Sequence, residues 1–174
     1  MCLRNSTLLF LFLALLTAGF CIPLAGQGYV LTHYRSMDGI GHDNVRTIVA
    51  DSSGFIWMAT WDGLMRIWDA CVRRDVLTLQ VHLNPVFSIA FSPDGRRLAS
   101  GSADNMAKIW DAASGEELLT LRGHRNGVFS IAFSPDGKRL ASGGLDEMVR
   151  IWDAASGEEL LTLRGHRNGV FSIA

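Results

Sequence analysis

The chain has 174 residues, is 48% hydrophobic and 19% charged, and carries a net charge of −1, a composition that supports a packed core and excludes a wholly disordered chain. The near-neutral balance lacks the basic excess that binding to phosphates demands, so nucleic acid is not expected as a partner, and neither is an acidic surface. Residues 1–26 stand apart from the rest. Arg4 is followed by an apolar run from Leu8 to Leu16 and then by small residues, the layout of a secretory signal peptide cleaved near Gly26, so the protein is expected to be exported. Retention as a membrane anchor is the competing reading, because Leu8–Ala25 is 18 residues without a charge, the lower limit for crossing a bilayer. Thr17, Gly19 and Pro23 weaken that reading, and Phe20 before Cys21 argues against a lipid-anchored cysteine. Cleavage would leave Cys71 as the only thiol, too few for an internal disulfide.

Residues 27–80 form the next unit, with one strand expected near Tyr29–Arg35. The segment YRSMDGIGHDNVRTIVADSSGFIWMATWDGLMRIWD carries Asp51, Gly54, Trp57, Ala59, Thr60, Gly63 and Leu64 in a spaced phrase. It resembles the propeller repeats in the sensor portions of bacterial two-component regulators. It runs into RIWDA with no linker.

From there to the end the chain repeats itself. Trp68, Trp110 and Trp152 are 42 residues apart, as are His82, His124 and His166, and Asp62, Asp104 and Asp146. A fixed period of this length is that of a four-stranded propeller blade. Within one period VFSIAF alternates as a half-buried strand, SPDG supplies an Asp-Gly turn, RRLASG and MAKIWD give two more strands, and a turn at AASGEE leads into LLTL. Residues 79–174, with Gly-His opening and Trp-Asp closing the unit, resemble WD-repeat β-propellers. The domains expected are therefore 1–26, 27–80 and 81–174. The fold class is all-β: a partial β-propeller of three four-stranded blades, at 45–80, 86–121 and 128–163, plus fragments of a fourth at Tyr29–Arg35 and Val170–Ala174. Propellers close with about four to eight blades, so the chain reads as truncated, with open flanks that favour self-association to complete a ring.

His124, Ser142 and Asp146 fall within one period, and the three residue types together invite a nucleophilic triad. The resemblance implies instead a buried relay in which Trp152 joins them, repeated as His82, Ser100, Asp104 and Trp110. A blade needs such a network every time, whereas a catalytic site is needed once. In the first blade His42, Asp62 and Trp68 match, but Met58 stands where the serine would be, with Thr60 the available substitute, so an incomplete relay is expected there. The adjacent acids Glu116-Glu117, with their copy Glu158-Glu159, flank a turn and read as a solvated face. Gly143-Gly144 falls at a strand end, which does not suit a phosphate loop. Neither an enzyme, a metal site nor any cofactor is indicated.

The resemblance also implies a binding surface on the loops joining fourth to first and second to third strands. The matching residues are Arg125, Asn126, Asn105, Leu145 and Glu147, with Arg167 and Asn168 from the copy, and a protein or peptide is the expected ligand. The reading is a non-catalytic interaction scaffold. The alternatives are a periplasmic sensor segment of a signalling receptor and a gene fragment without independent function. Residues 109–132 recur unchanged at 151–174, more identity than folding requires, which points to recent duplication of the coding segment.

Overall fold

In a computed structural model, which describes residues 45–51, 55–69 and 74–174, the chain forms three four-stranded antiparallel sheets. The first holds β1 (Val45–Ala50), β2 (Phe55–Thr60), β3 (Leu64–Asp69) and β4 (Arg74–Gln80). The second holds β5 (Val86–Phe91), β6 (Arg97–Ser102), β7 (Met106–Asp111) and β8 (Glu117–Arg122). The third holds β9 (Val128–Phe133), β10 (Arg139–Gly144), β11 (Val149–Asp153) and β12 (Glu159–Leu163). Each sheet is a simple meander in chain order, and each corresponds to one expected blade. The strand at Tyr29–Arg35 lies outside the described residues. Val170–Ala174 forms no ladder with any of the described residues.

The turns follow from local chemistry. In the β5–β6 hairpin Ser92 Oγ donates to Asp94 Oδ1 at 2.6 Å, and Asp94 accepts the Arg96 N–H at 3.1 Å. Gly95 takes φ 69°, the left-handed conformation glycine adopts without penalty. At the β7–β8 turn the Asp111 carboxylate accepts the N–H groups of Ala113 and Ser114 at 2.9 and 2.8 Å. The third sheet repeats both arrangements at Ser134/Asp136 and Asp153/Ser156.

The core lies between blades. Val49, Trp57, Ala59, Met65 and Ile67 of the first sheet meet Val86, Ile89, Leu98 and Trp110 of the second. Ala99, Ala107, Ile109 and Leu121 of the second meet Val128, Ile131, Leu140, Trp152 and Ala154 of the third. Each sheet therefore has a leading face, turned to the preceding blade, and a trailing face, turned to the following one. Small residues on the trailing face let innermost strands come close: a Cβ on Gly101 would sit 2.8 Å from Val128 and 3.1 Å from Ile131. Arg97 spans the same boundary from the opposite end of β6. Its guanidinium donates to Ala154 O and Gly137 O, both at 2.7 Å, and lies 5.5 Å from the Phe133 ring centroid.

Candidate interaction surface and the buried relay

The expected relay exists in two copies. His82 Nδ1 lies 2.8 Å from Asp104 Oδ2 and His82 Nε2 lies 2.8 Å from Ser100 Oγ, while Trp110 Nε1 donates to the same Ser100 oxygen at 2.9 Å. The second copy joins His124 Nδ1 to Asp146 Oδ1 at 2.9 Å, His124 Nε2 to Ser142 Oγ at 2.8 Å, and Trp152 Nε1 to that serine at 2.8 Å. Donor accounting fixes the direction. An indole N–H can only donate, so serine accepts from it and passes its own hydrogen to histidine Nε2; the Nδ1–H then donates to the carboxylate. With the imidazole neutral, every group is satisfied.

This is also the arrangement of a nucleophilic triad, and burial decides between them. Ser100 and Ser142 are 0% exposed, and each hydroxyl is already engaged by both an indole and an imidazole. A substrate carbonyl has no route to either oxygen. Burial pushes the Asp104 carboxyl up, but the bond from His82 and the N–H groups of Met106 and Leu83 outweigh it and hold the acid below the usual carboxylate range. Asp146 behaves alike: burial opposes the Arg125 N–H and His124, which prevail.

In the first blade no serine stands at the relay position, in keeping with the incomplete relay expected there, but Thr60 does not substitute. Met58 is fully buried and pairs with Arg66 across the sheet, as Ser100 pairs with Lys108, so it occupies the serine position itself. Thr60 falls one pleat further on, where Ser102 stands in the second blade, and bonds Asp62 and Leu64 O. His42 lies outside the described residues. A different link is present here: Trp57 Nε1 donates to Asp51 Oδ2 at 3.2 Å while Asp51 Oδ1 accepts the Phe55 N–H at 3.0 Å, tying together two residues of the spaced phrase.

The relay aspartates sit under the loops that carry the expected binding residues. The N–H of Arg125 donates to Asp146 Oδ2 at 3.0 Å and that of Leu145 to Gly127 O at 2.8 Å, so the β8–β9 and β10–β11 loops are held together. Arg125, Asn126, Leu145 and Glu147 are exposed on this end, and Asn105 takes the place of Glu147 in the second blade. The segment with Arg167 and Asn168 is exposed and joins them, since Gly169 packs on Leu145 closely enough that a Cβ would sit 2.6 Å from its Cδ1. Asn105 and Glu147 both have positive φ, 71° and 65°. Their counterpart in the first blade is Gly63 (φ 77°), where a Cβ would come within 2.3 Å of His82 O. A glutamate in the left-handed region is strained, whereas glycine is not.

One feature of this end was not read from the sequence. Pairing registers skip Arg46 in β1, Phe87 in β5 and Phe129 in β9, so each is a bulge residue aimed out of the ladder. Phe171 continues the series. The Phe87 and Phe129 rings stack at 4.1 Å, Phe129 and Phe171 meet edge to face at 5.3 Å, and the Arg46 guanidinium lies 4.9 Å from the Phe87 centroid. Phe171 remains 61% exposed at the end of the row, beneath the loops just described.

Comparison with known proteins agrees with this architecture. Residues 73–111 and 115–153 match the family described as WD domain, G-beta repeat, and residues 39–62 match Two component regulator propeller. Coronin-7 of Homo sapiens is 44% identical over 46 residues, and that of Rattus norvegicus 41%, in each case over 26% of this chain and 5% of the relative. Solved structures of U3-55K and of the RRP9 WD40 repeats each superpose with a TM-score of 0.71 and 27% identity over 86% of this chain. The chain spans 46% and 45% of those two, respectively.

Proposed function

We propose, on the premise that residues 73–111 and 115–153 are WD repeats set beside a two-component-regulator-type propeller segment, that the protein is a non-catalytic scaffold binding a protein or peptide. The ligand would contact the loop end built from Arg125, Asn126, Asn105, Leu145, Glu147, Arg167 and Asn168. Convergence of the two loop sets at Leu145 carries the reading, because it gathers exposed cationic, amide and aliphatic groups from successive repeats onto one surface. Fold alone does not assign a role, and the reading rests on the loops. The burial and full engagement of Ser100 and Ser142 support the non-catalytic part of this reading. The net charge of −1 supports a polypeptide ligand over nucleic acid. Charge reversal at Arg125 and Glu147 together is expected to release partners captured by cross-linking to the wild-type loop end. Retention of every partner would exclude this surface.

Export is the accompanying reading, carried by Arg4 and the run Leu8–Leu16, which lie outside the described residues. N-terminal sequencing of the mature protein is expected to begin near Gln27, and recovery of intact Met1 from a soluble cytoplasmic fraction would defeat it. The match at residues 39–62 favours one second reading, a periplasmic sensor segment. It would be supported if the loop end bound a small molecule in place of a polypeptide.

A further inference from the structure

Arg46 places a charge at the head of a row that is otherwise phenyl. The bulge in β1 turns it out of the ladder, as the bulges in β5 and β9 turn Phe87 and Phe129. Its Cζ lies 4.7 Å from the Trp61 ring centroid and 4.9 Å from that of Phe87, and the two rings meet at 85° with their centroids 6.1 Å apart. The guanidinium therefore sits in the corner between two rings, which hold it in place. They do not satisfy it. A guanidinium has five N–H donors, and among the described residues the Arg46 side chain has no hydrogen-bond or ion-pair partner. Arg97 differs: it also lies on a ring, but directs its donors to two carbonyls.

The surface around this corner is apolar and open, with Trp61 47% and Leu83 89% exposed. Trp61 precedes Asp62 as Leu145 precedes Asp146, and Leu83 follows His82 as Arg125 follows His124. The N–H groups of Val81 and His82 both donate to Gly63 O at 3.1 Å, which ties the β2–β3 loop carrying Trp61 to the β4–β5 loop carrying Leu83. This is the loop end one boundary earlier, with an indole in place of Leu145 and a leucine in place of Arg125. The row joins the two parts, since a Cβ on Gly127 would sit 3.3 Å from the Phe129 ring and 3.5 Å from that of Phe87. Arg46, Trp61, Leu83 and Phe87 all lie where the first sheet meets the second, and both sheets are described.

We infer that Arg46 anchors a carboxylate subsite, taking an aspartate or glutamate side chain of a bound polypeptide whose neighbouring apolar residues lie on Trp61 and Leu83. This rests on the loop-end reading above and names the ligand chemistry of one part of that surface. Rings cover the guanidinium on two sides, so a ligand meets its N–H edge, and a carboxylate accepts two parallel bonds from such an edge. The half-buried setting strengthens those bonds relative to water. A cationic side chain is disfavoured, because Arg46 already fills the corner between the rings. A phosphate is disfavoured as well: Asp62, Glu147 and the two relay aspartates outnumber Arg46, Arg125 and Arg167 at this end, and their field opposes a second negative charge.

The probe is a library of random hexapeptides screened for retention by the full chain. Retained peptides should be enriched in aspartate or glutamate next to leucine or an aromatic residue. In a synthetic copy of the most enriched peptide, exchange of the acid for its amide should weaken binding about tenfold. Arg46→Gln in the chain should do the same, and the two changes together should cost little more than either alone, because both remove one interaction. Arg46→Lys should recover only part of the affinity, since an ammonium lacks the planar fork. Circular dichroism checks that the sheets persist, and the same pair of changes is measured with Arg46→Lys if Arg46→Gln unfolds the chain. Additive losses would put the carboxylate on another cation and overturn the inference while leaving the loop-end reading intact, as would retained peptides with no acidic preference. Binding more than about tenfold tighter when phosphoserine replaces the acid would overturn the choice of carboxylate. Retention of no peptide at all would defeat the inference together with the peptide form of the loop-end reading.

Discussion

Trp152 and His124, 28 residues apart in the chain, meet on a single atom: the Ser142 Oγ takes the indole N–H at 2.8 Å and lies 2.8 Å from the imidazole Nε2. The contact holds the third strand of the blade to the loop that enters it, and Ser100 does the same for Trp110 and His82. Trp152→Phe removes the donor and opens a small void, with an expected cost of about 1–3 kcal/mol, and Ser142→Ala should cost a similar amount because it strands both the indole and the imidazole. Denaturant unfolding checks both. If Ser142→Ala left stability unchanged and abolished an esterase activity, the hydroxyl would be a nucleophile and the relay reading would fail.

The carboxylates at the far end of each relay make the fold sensitive to acid. Asp104 and Asp146 are both held below the usual range when folded, whereas in the unfolded chain they titrate near about 3.9. Their contribution is therefore complete above that value and is lost as pH falls below it, because the unfolded chain takes up protons first. Asp146→Asn should lower stability at neutral pH and flatten the decline as pH falls below about 4. An unfolding midpoint for the variant that falls as steeply with acid as that of the wild type would show that Asp146 carries none of the effect.

Glu147 holds a left-handed backbone at φ 65° at the position that Gly63 fills in the first blade. Relief of that strain by Glu147→Gly is set against the extra freedom glycine gives the unfolded chain, and the net is an expected gain of up to about 1 kcal/mol. The same change should weaken ligand capture at the loop end, where the carboxylate is exposed. A stability gain with unaltered capture would make the glutamate a residue of no functional consequence.

The repeat was the most legible feature of the sequence, and the reason is physical. Each period must bury two sheet faces, so its alternation recurs, the second and third blades repeat the Asp-Gly turn and the relay residues as well, and the expected blades coincide with the observed sheets to within a residue at their ends. Bulges were not legible. In VFSIAF the alternation assigns Phe87 to a regular face, and only the pairing register reveals that it is skipped and redirected into the row with Phe129. Val170–Ala174 repeats a strand sequence yet forms no ladder, because strand formation depends on a partner that the sequence of one segment does not contain. The inter-blade clamp was equally hidden: Arg97 follows a turn, reads as a solvated charge, and reaches carbonyls 40 and 57 residues away.

That clamp gives the last prediction. Arg97 is the described side chain that bonds backbone carbonyls of the following blade at two points, Ala154 O and Gly137 O, while its guanidinium covers the Phe133 ring. Arg97→Ala would remove two charge-assisted bonds and the ring contact together, and the two carbonyls, at the margin of the boundary, would recover water only in part. The expected cost is about 1–3 kcal/mol. It should fall unevenly, since the cluster of Ala99, Ile109, Leu121, Leu140 and Trp152 still joins the sheets. Faster amide hydrogen exchange is expected in β10 and β11, with β1 and β2 unaffected. Arg97→Lys should recover little, because an ammonium on a flexible stem does not span two carbonyls as a planar fork does. Uniform acceleration across all three sheets would indicate that the blades unfold as one unit, and that the clamp contributes to global stability without governing the boundary.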